Sequence, residues 1–123
     1  MERATYARMA DIQNKHWWYE GRRVIISSVI SALNLPKDAA ILEAGCGPGA
    51  NLAMLAAHGR VSAFEPDGFS RAHAAAATGI AVLEGYLPEP VPFSEPFDLV
   101  GAFDVIEHVA DDAGSLRALH GLT

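Results

Sequence analysis

The sequence predicts an open α/β fold in which helices cover both faces of a parallel sheet. Short apolar segments alternate along the chain with segments of helical periodicity. The first apolar segment, residues 39–44, shows no alternation of polar and apolar positions, as expected for a strand covered on both faces. It runs directly into a glycine-rich turn at residues 45–49. Crossovers in such a sheet are right-handed, and ligands bind at the carboxyl ends of its strands.

Each element of this fold has a boundary signal in the sequence. Pro36 ends the second helix, Asp67 caps the fourth, and Gly79 stops it. Four prolines between residues 86 and 96 predict an irregular loop over the sheet. The predicted helices span residues 4–19, 21–33, 49–58, 67–78 and 111–120. The predicted strands span residues 39–44, 61–65, 80–83 and 97–103.

Composition predicts one cytoplasmic globular domain over residues 1–123, with a helical lead-in at 1–35 and a core at 39–120. Half of the 123 residues are apolar, enough for a single core, and the net charge of −6 leaves no electrostatic footprint for nucleic acid. The only cysteine, Cys46, forms no internal disulfide and is interpreted as a small loop residue. The longest apolar stretch, residues 24–35, is too short and too polar to cross a membrane.

The glycine turn predicts a site for a nucleotide-like ligand and leaves two classes open. Gly45-x-Gly47-x-x-Ala50 satisfies the relaxed dinucleotide pattern, and Glu65 follows at about the 20 residues expected of a ribose-binding acid. Glu43 favours a different ligand, because a carboxylate just before the turn repels a pyrophosphate and attracts a cationic amino acid. S-adenosylmethionine carries both an ammonium and a sulfonium group.

The string Leu42-Glu43-Ala44-Gly45-Cys46-Gly47-Pro48-Gly49 resembles the first motif of class I S-adenosylmethionine-dependent methyltransferases. Residues 63–67 are similar to their second motif, in which the acid, here Glu65, accepts hydrogen bonds from both ribose hydroxyls; the alternative is a solvated acid at a strand end. The resemblance implies a partial Rossmann-like fold with strand order 3-2-1-4. The cofactor-binding residues that the resemblance implies are Glu43, Gly45, Cys46, Gly47, Gly49, Glu65, Pro66, Tyr86, Leu87 and Phe103.

Two segments of the resemblance leave their contacts open. The family often has an acid near the adenine amino group where this chain has Tyr86, so backbone or aromatic contact is expected there. The aromatic and basic cluster at residues 16–23 is similar to a lead-in that closes over the cofactor in some members. There, aromatic rings could enclose a sulfonium and an arginine could pair with the methionyl carboxylate. Alternatively, Trp17 and Trp18 anchor the helix to the core.

Asp104, Glu107 and His108 form the most evident group of acids and imidazole. Their spacing predicts that they surround one small volume at a helix start. His108, with Asp104, is the candidate catalytic pair, in which the imidazole removes a proton from the acceptor. A similar run holds a divalent metal in certain methyltransferases, but no metal is assigned here, and a third interpretation is that the segment only orders the loop.

The resemblance implies transfer of a methyl group to a heteroatom of a small-molecule acceptor. Relatives of this type continue into three further strands, so we expect either a truncated member or a short form. The fourth strand of this chain would then be an unprotected edge of the sheet, which we expect to pair with a partner protein or with a second copy of the chain. Two alternatives remain: a short form that binds cofactor without catalysis and acts through a partner, and a nicotinamide-dependent oxidoreductase.

Overall fold

The structure, a computed structural model, describes residues 4–5, 7–8 and 17–123. The first long helix is α1, Trp17–Ala32, and the others are α2, Leu52–Ala56, α3, Gly68–Thr78, and α4, Asp112–His120. The strands are β1, Ala40–Ala44, β2, Arg60–Phe64, β3, Val82–Leu83, and β4, Leu99–Gly101. A short 3₁₀ helix, Ile106–His108, lies between β4 and α4.

The four strands form one parallel sheet in the order β3-β2-β1-β4, which confirms the predicted architecture. In the register, Glu43 near the end of β1 lies between Ala63 of β2 and Gly101 of β4. The two strands on either side of β1 therefore end beside Glu43. No described strand pairs with the outer side of β4.

Apolar side chains pack on both faces of β1, as its unbroken apolar pattern predicts. Leu42 and Ala44 pack with Phe64 and with residues near the end of the described chain, including Leu119. Ile41 packs on the opposite face, where α1 and α2 cover the sheet. Burial on both faces holds β1 rigidly, and its carboxyl end carries Glu43 into the site.

Two predicted helix caps are confirmed. The Asp67 side chain accepts a hydrogen bond from the Ser70 amide at 2.8 Å, and Gly79 ends α3 with φ of 73°. Asp111 caps α4 in the same way, accepting from the Gly114 amide at 2.8 Å. Short polar residues therefore satisfy backbone amides at the start of both helices, and Gly79 ends α3.

The structure corrects three predicted boundaries. No break separates Tyr19 from Gly21, because both lie inside α1; most of the preceding predicted helix lies outside the described residues. The helix after the glycine turn begins at Leu52 rather than 49, since Gly49 has φ of 92°, which a right-handed helix cannot contain. Strand β4 ends at Gly101, and it begins at Leu99 rather than 97, because the Phe97 amide before it donates to the Leu122 carbonyl at 2.7 Å.

Helical periodicity places Ile26, Val29, Ile30 and Leu33 on one face of α1, and this face is only partly buried. Ile30 is buried and Ile26 half-buried, but Val29 and Leu33 are 58% and 52% exposed. Two of the four residues on this apolar face are therefore largely in solvent. Among the described residues, no helix combines the length and apolar character that crossing a membrane requires.

Candidate functional site

A cavity of about 780 Å³ opens at the carboxyl ends of β1, β2 and β4. Its walls come from four segments: α1, the glycine turn after β1, the end of β2, and the loop that follows β4. The volume lies within the range of about 300–1,000 Å³ typical of small-molecule and cofactor sites. This cavity is the candidate site.

The glycine turn bends sharply to form the cavity floor. Gly45 and Gly47 have φ of 68° and 55°, a left-handed conformation that glycine adopts without strain. A Cβ at Gly45 would lie 2.9 Å from Cγ2 of Val105, so the turn packs closely against the loop after β4. A Cβ at Gly47 would meet no atom within 4 Å, and the turn is open on that side.

The first three amides of the glycine turn donate hydrogen bonds within the protein and are not free to bind an anion. The Gly45 and Cys46 amides both donate to the Phe64 carbonyl, at 2.9 and 3.2 Å. The Gly47 amide donates to a Glu65 carboxylate oxygen at 2.8 Å. These bonds tie the turn to β2, so its shape is fixed by the protein itself.

Glu43 is a buried carboxylate in the cavity wall. Only 1% of its surface is exposed, and its Oε1 has no hydrogen-bond partner among the described residues. Burial raises the pKa of Glu43 to about 8; Asn51, through a hydrogen bond, and the Arg22 charge lower it, while the Glu65 charge raises it. A buried acid with an unpaired oxygen leaves a position for a cation or a hydrogen-bond donor from a ligand.

Glu65 lies at the end of β2 and is 5% exposed, so it is not the solvated acid of the alternative interpretation. Its two oxygens accept from the Gly47 and Asp67 amides at 2.8 and 2.9 Å. Burial raises its pKa, and these two hydrogen bonds oppose that shift. Each carboxylate oxygen has a second lone pair, which leaves acceptor capacity for ligand hydroxyls.

Helix α1 forms the opposite wall. Arg22 pairs with the carboxylate of Asp104, and its guanidinium lies 5.6 Å from the centre of the Trp18 ring. Trp17 lines no part of this cavity, and 75% of its surface is exposed. Trp18 and Tyr19 do line it. His16, the first member of the predicted cluster, lies outside the described residues.

Asp104, Glu107 and His108 all line the cavity, but Asp104 pairs with Arg22. It precedes the 3₁₀ helix in a left-handed conformation with φ of 59° and turns toward Arg22. Glu107 and His108 lie at the cavity rim, where their side chains are 3.7 Å apart and mostly exposed. Among the described residues, no three histidine, cysteine or acidic side chains come close enough to hold a metal.

Most of the predicted cofactor-binding residues line the cavity, but three do not. Glu43, Gly45, Cys46, Gly47, Glu65, Pro66 and Phe103 are in its walls. Gly49 lies against Ala74. Tyr86 donates its hydroxyl hydrogen to Glu84 at 2.8 Å, and Leu87 packs against the core on one face of the sheet. The structure does not bring these three to the cavity.

Comparison with known proteins identifies the family. The model of a family described as a methyltransferase domain matches residues 7–123, nearly the whole sequence. The chain belongs to this methyltransferase family. The predicted membership of the S-adenosylmethionine-dependent methyltransferases is thereby confirmed at the family level. Among curated proteins, no sequence matches.

Solved structures share the fold of this methyltransferase domain. One is an S-adenosyl-L-methionine-dependent methyltransferase from Methanococcus maripaludis, with a TM-score of 0.80 and 18% identity over 95% of this chain and 57% of that one. Another is CalS10, an amino pentose methyltransferase from Micromonospora echinaspora solved with S-adenosylmethionine. Its TM-score is 0.71, and the identity is 22% over 99% of this chain and 50% of CalS10. A third is a Haloferax volcanii methyltransferase in complex with the activator Trm112. Its TM-score is 0.76, and the identity is 18% over 97% of this chain and 52% of the other. The domain spans about half the length of these chains.

Two site residues of this methyltransferase domain were missed by sequence reasoning. Asn51 lines the cavity and hydrogen-bonds Glu43, and Val105 packs under Gly45. The position of Asn51 carried a signal, since a polar residue in the turn before α2 lies near the end of β1. Val105 carried none, because its contact with Gly45 joins segments 60 residues apart in the sequence.

Proposed function

We propose that this methyltransferase domain binds S-adenosylmethionine in the cavity and transfers its methyl group to a heteroatom of a small-molecule acceptor. The observation that carries the proposal is the unpaired Oε1 of Glu43, a buried acid in the wall of a cofactor-sized cavity. The ammonium of a methionyl group supplies the donor and the positive charge that this oxygen lacks. The residues present therefore fit the cofactor.

In this proposal the cavity residues bind and orient the cofactor. Glu43 pairs with the ammonium, and Glu65 uses its remaining lone pairs to accept from the ribose hydroxyls while still holding the Gly47 amide. Phe103 supplies apolar contact beside them. When bound, S-adenosylmethionine supplies a methyl group already activated by its sulfonium. The protein then contributes mainly proximity and in-line orientation of the acceptor.

His108 is the proposed general base. Its imidazole is at the cavity rim, exposed to solvent and 3.7 Å from the Glu107 carboxylate, so an acceptor could reach it without rearrangement of the core. An imidazole can take a proton from a hydroxyl or amine near neutral pH. Asp104 is not proposed as a base, since its carboxylate is paired with Arg22.

A nicotinamide-dependent oxidoreductase is less well supported. Binding of a pyrophosphate at a glycine turn depends on free backbone amides. Here the amides of Gly45, Cys46 and Gly47 all donate within the protein. A pyrophosphate also offers no cation to the buried acid Glu43, whose Oε1 is unpaired.

A second candidate is a domain that binds cofactor but needs a partner for turnover. Two observations favour it: no described strand covers the outer side of β4, and a similar methyltransferase is found in complex with an activator. Turnover with a panel of small acceptors by the domain alone would contradict this second candidate.

The cytoplasmic location also stays a prediction, which cell fractionation would test.

Calorimetric titration of S-adenosylhomocysteine and NADH tests the proposed function. We expect the wild-type domain to bind S-adenosylhomocysteine and not NADH. Glu65→Ala should lose affinity for S-adenosylhomocysteine, because it removes the ribose acceptor and frees the Gly47 amide. Glu95→Ala, at an exposed acid outside the cavity, is the matched control and should bind like wild type. Binding of NADH without S-adenosylhomocysteine would contradict the proposal.

A further inference from the structure

Arg22 occupies an unusual electrostatic position in the cavity, because it acts on two carboxylates at different depths. Its guanidinium pairs with Asp104, whose side chain is 60% exposed at the mouth. Its charge also acts on Glu43, which is buried in the wall. All three residues line the same cavity, so one guanidinium acts on both acids.

Stability does not explain why Asp104 holds this position. Its φ of 59° costs free energy in a residue that has a Cβ, and glycine would adopt it without strain. Its ion pair with Arg22 is partly exposed, a type of pair that contributes little to folding. We therefore expect Asp104 to act on the position of Arg22 rather than on folding stability.

Asp104 draws the guanidinium toward the mouth. Without it, Glu43 would be the stronger attraction for Arg22, because burial weakens solvent screening of a charge. A guanidinium that moved inward would pair with Glu43 and occupy its free Oε1. With Asp104 in place, the inner wall keeps an unpaired acid while the mouth keeps a cation.

This separation of charge matches the amino-acid end of the proposed cofactor, whose ammonium and carboxylate carry opposite charges. We propose that Asp104 is a positioning residue that holds Arg22 at the mouth and away from Glu43, so that the cavity receives the ammonium inside and the carboxylate outside. The inference rests on the proposed function. A guanidinium has five N–H donors, so Arg22 can bind the ligand carboxylate while Asp104 still holds it.

Two ligands that differ only in the amino-acid end test this role. S-adenosylhomocysteine has that end, and 5′-methylthioadenosine lacks it while keeping the adenosine and the thioether. Asp104→Asn should weaken binding of S-adenosylhomocysteine about tenfold, the scale of a lost charge-assisted hydrogen bond, and leave 5′-methylthioadenosine within about twofold of wild type. Asp104→Glu, which retains the charge, should restore most of the affinity.

A double-mutant cycle then separates action through Arg22 from direct action. Arg22→Gln should weaken S-adenosylhomocysteine no more than Asp104→Asn does, because without the guanidinium Oε1 of Glu43 stays free. The double variant should bind like Arg22→Gln alone. Asp38→Asn is the matched control, because Asp38 is also exposed with a positive φ, of 56°, but lies outside the cavity. It should bind both ligands like wild type.

Each contrary result has a distinct meaning. Unchanged S-adenosylhomocysteine affinity in Asp104→Asn would overturn the positioning role, as would an equal loss for 5′-methylthioadenosine, which indicates general damage to the cavity. A further loss in the double variant, by the same factor, would show that Asp104 acts without Arg22 and would also overturn it. Wild-type protein that binds neither ligand contradicts the proposed function itself.

Discussion

At the scale of single residues, Glu43 joins the fold to the site. It is part of β1 and almost fully buried, yet one of its oxygens has no partner among the described residues. An isolated buried charge is costly, so the acid keeps its proton until a cation arrives. The sequence predicted the importance of Glu43 from its position before the glycine turn, but its burial depends on strands and helices that are distant in the chain.

The raised pKa of Glu43 predicts how stability changes with pH. Between the ordinary value of 4.5 and the folded value of about 8, the folded protein holds a proton that the unfolded chain has released. The free energy of unfolding should therefore fall as pH rises through this window, by up to about 1.4 kcal/mol per pH unit from this group. Urea denaturation between pH 5 and 8.5 measures it.

Glu43→Gln should make the free energy of unfolding fall less steeply with pH, because the variant has no acid at this position. Some pH dependence should remain, since the pKa of Glu65 is also raised. Glu95→Gln, at an exposed position, is the control and should follow wild type. Identical pH slopes for wild type and Glu43→Gln would contradict the buried, protonated state.

His108 gives a second prediction at this scale. His108→Gln should reduce methyl transfer by roughly a hundredfold or more, the usual contribution of a general base, with any acceptor that supports turnover. Affinity for S-adenosylhomocysteine should not change, because the imidazole is mostly exposed at the rim of the cavity. Full activity in this variant would favour the interpretation in which the segment only orders the loop.

At the scale of elements, the glycine turn shows where sequence reasoning succeeds and where it fails. Gly45 and Gly47 do adopt positive φ, as a tight turn after a strand predicts. The pattern did not indicate that the amides of residues 45–47 donate to Phe64 at the end of the neighbouring strand and to Glu65 just after it. The local sequence predicts the backbone conformation of the turn, whereas the hydrogen-bond partners of its amides depend on which strand lies beside it in the folded protein.

The turn also predicts an effect on folding. Gly45→Ala should lower the free energy of unfolding by about 1–3 kcal/mol, because it places a Cβ at positive φ and 2.9 Å from Val105. Gly21→Ala is the control of opposite sign: it lies inside α1 with open space around it and should stabilise by about 0.5–1 kcal/mol. Equal stability of Gly45→Ala and wild type in urea would contradict the tight packing of the turn.

At the scale of the whole molecule, the alternation of elements and the family resemblance were sufficient to predict the sheet order. The boundaries were less predictable, because β4 and α2 are shortened by a long-range hydrogen bond and by the φ of Gly49. The exposure of Val29 and Leu33 on α1 was also not predictable, since helical periodicity shows which residues share a face but not what covers that face.

The outer side of β4 leads to a prediction about assembly. No described strand pairs with it, and an unpaired edge favours association with another strand. We expect the sedimentation coefficient to rise with concentration, with amide hydrogen exchange slowed at residues 99–101 in the concentrated sample. A monomer at every concentration, with unchanged exchange in β4, would contradict self-association through this edge.

In the proposed complex the buried Glu43 carboxylate receives the ammonium of the cofactor, and calorimetric titration of S-adenosylhomocysteine from pH 6 to pH 8 measures this pairing. Wild-type affinity should increase with pH, by up to about tenfold per unit, because Glu43 must release its proton to pair with the ligand. Glu43→Gln should bind about ten to a hundred times more weakly at pH 8, with little pH dependence. Equal affinity of the two proteins at pH 8, with the same pH profile, would contradict the claim.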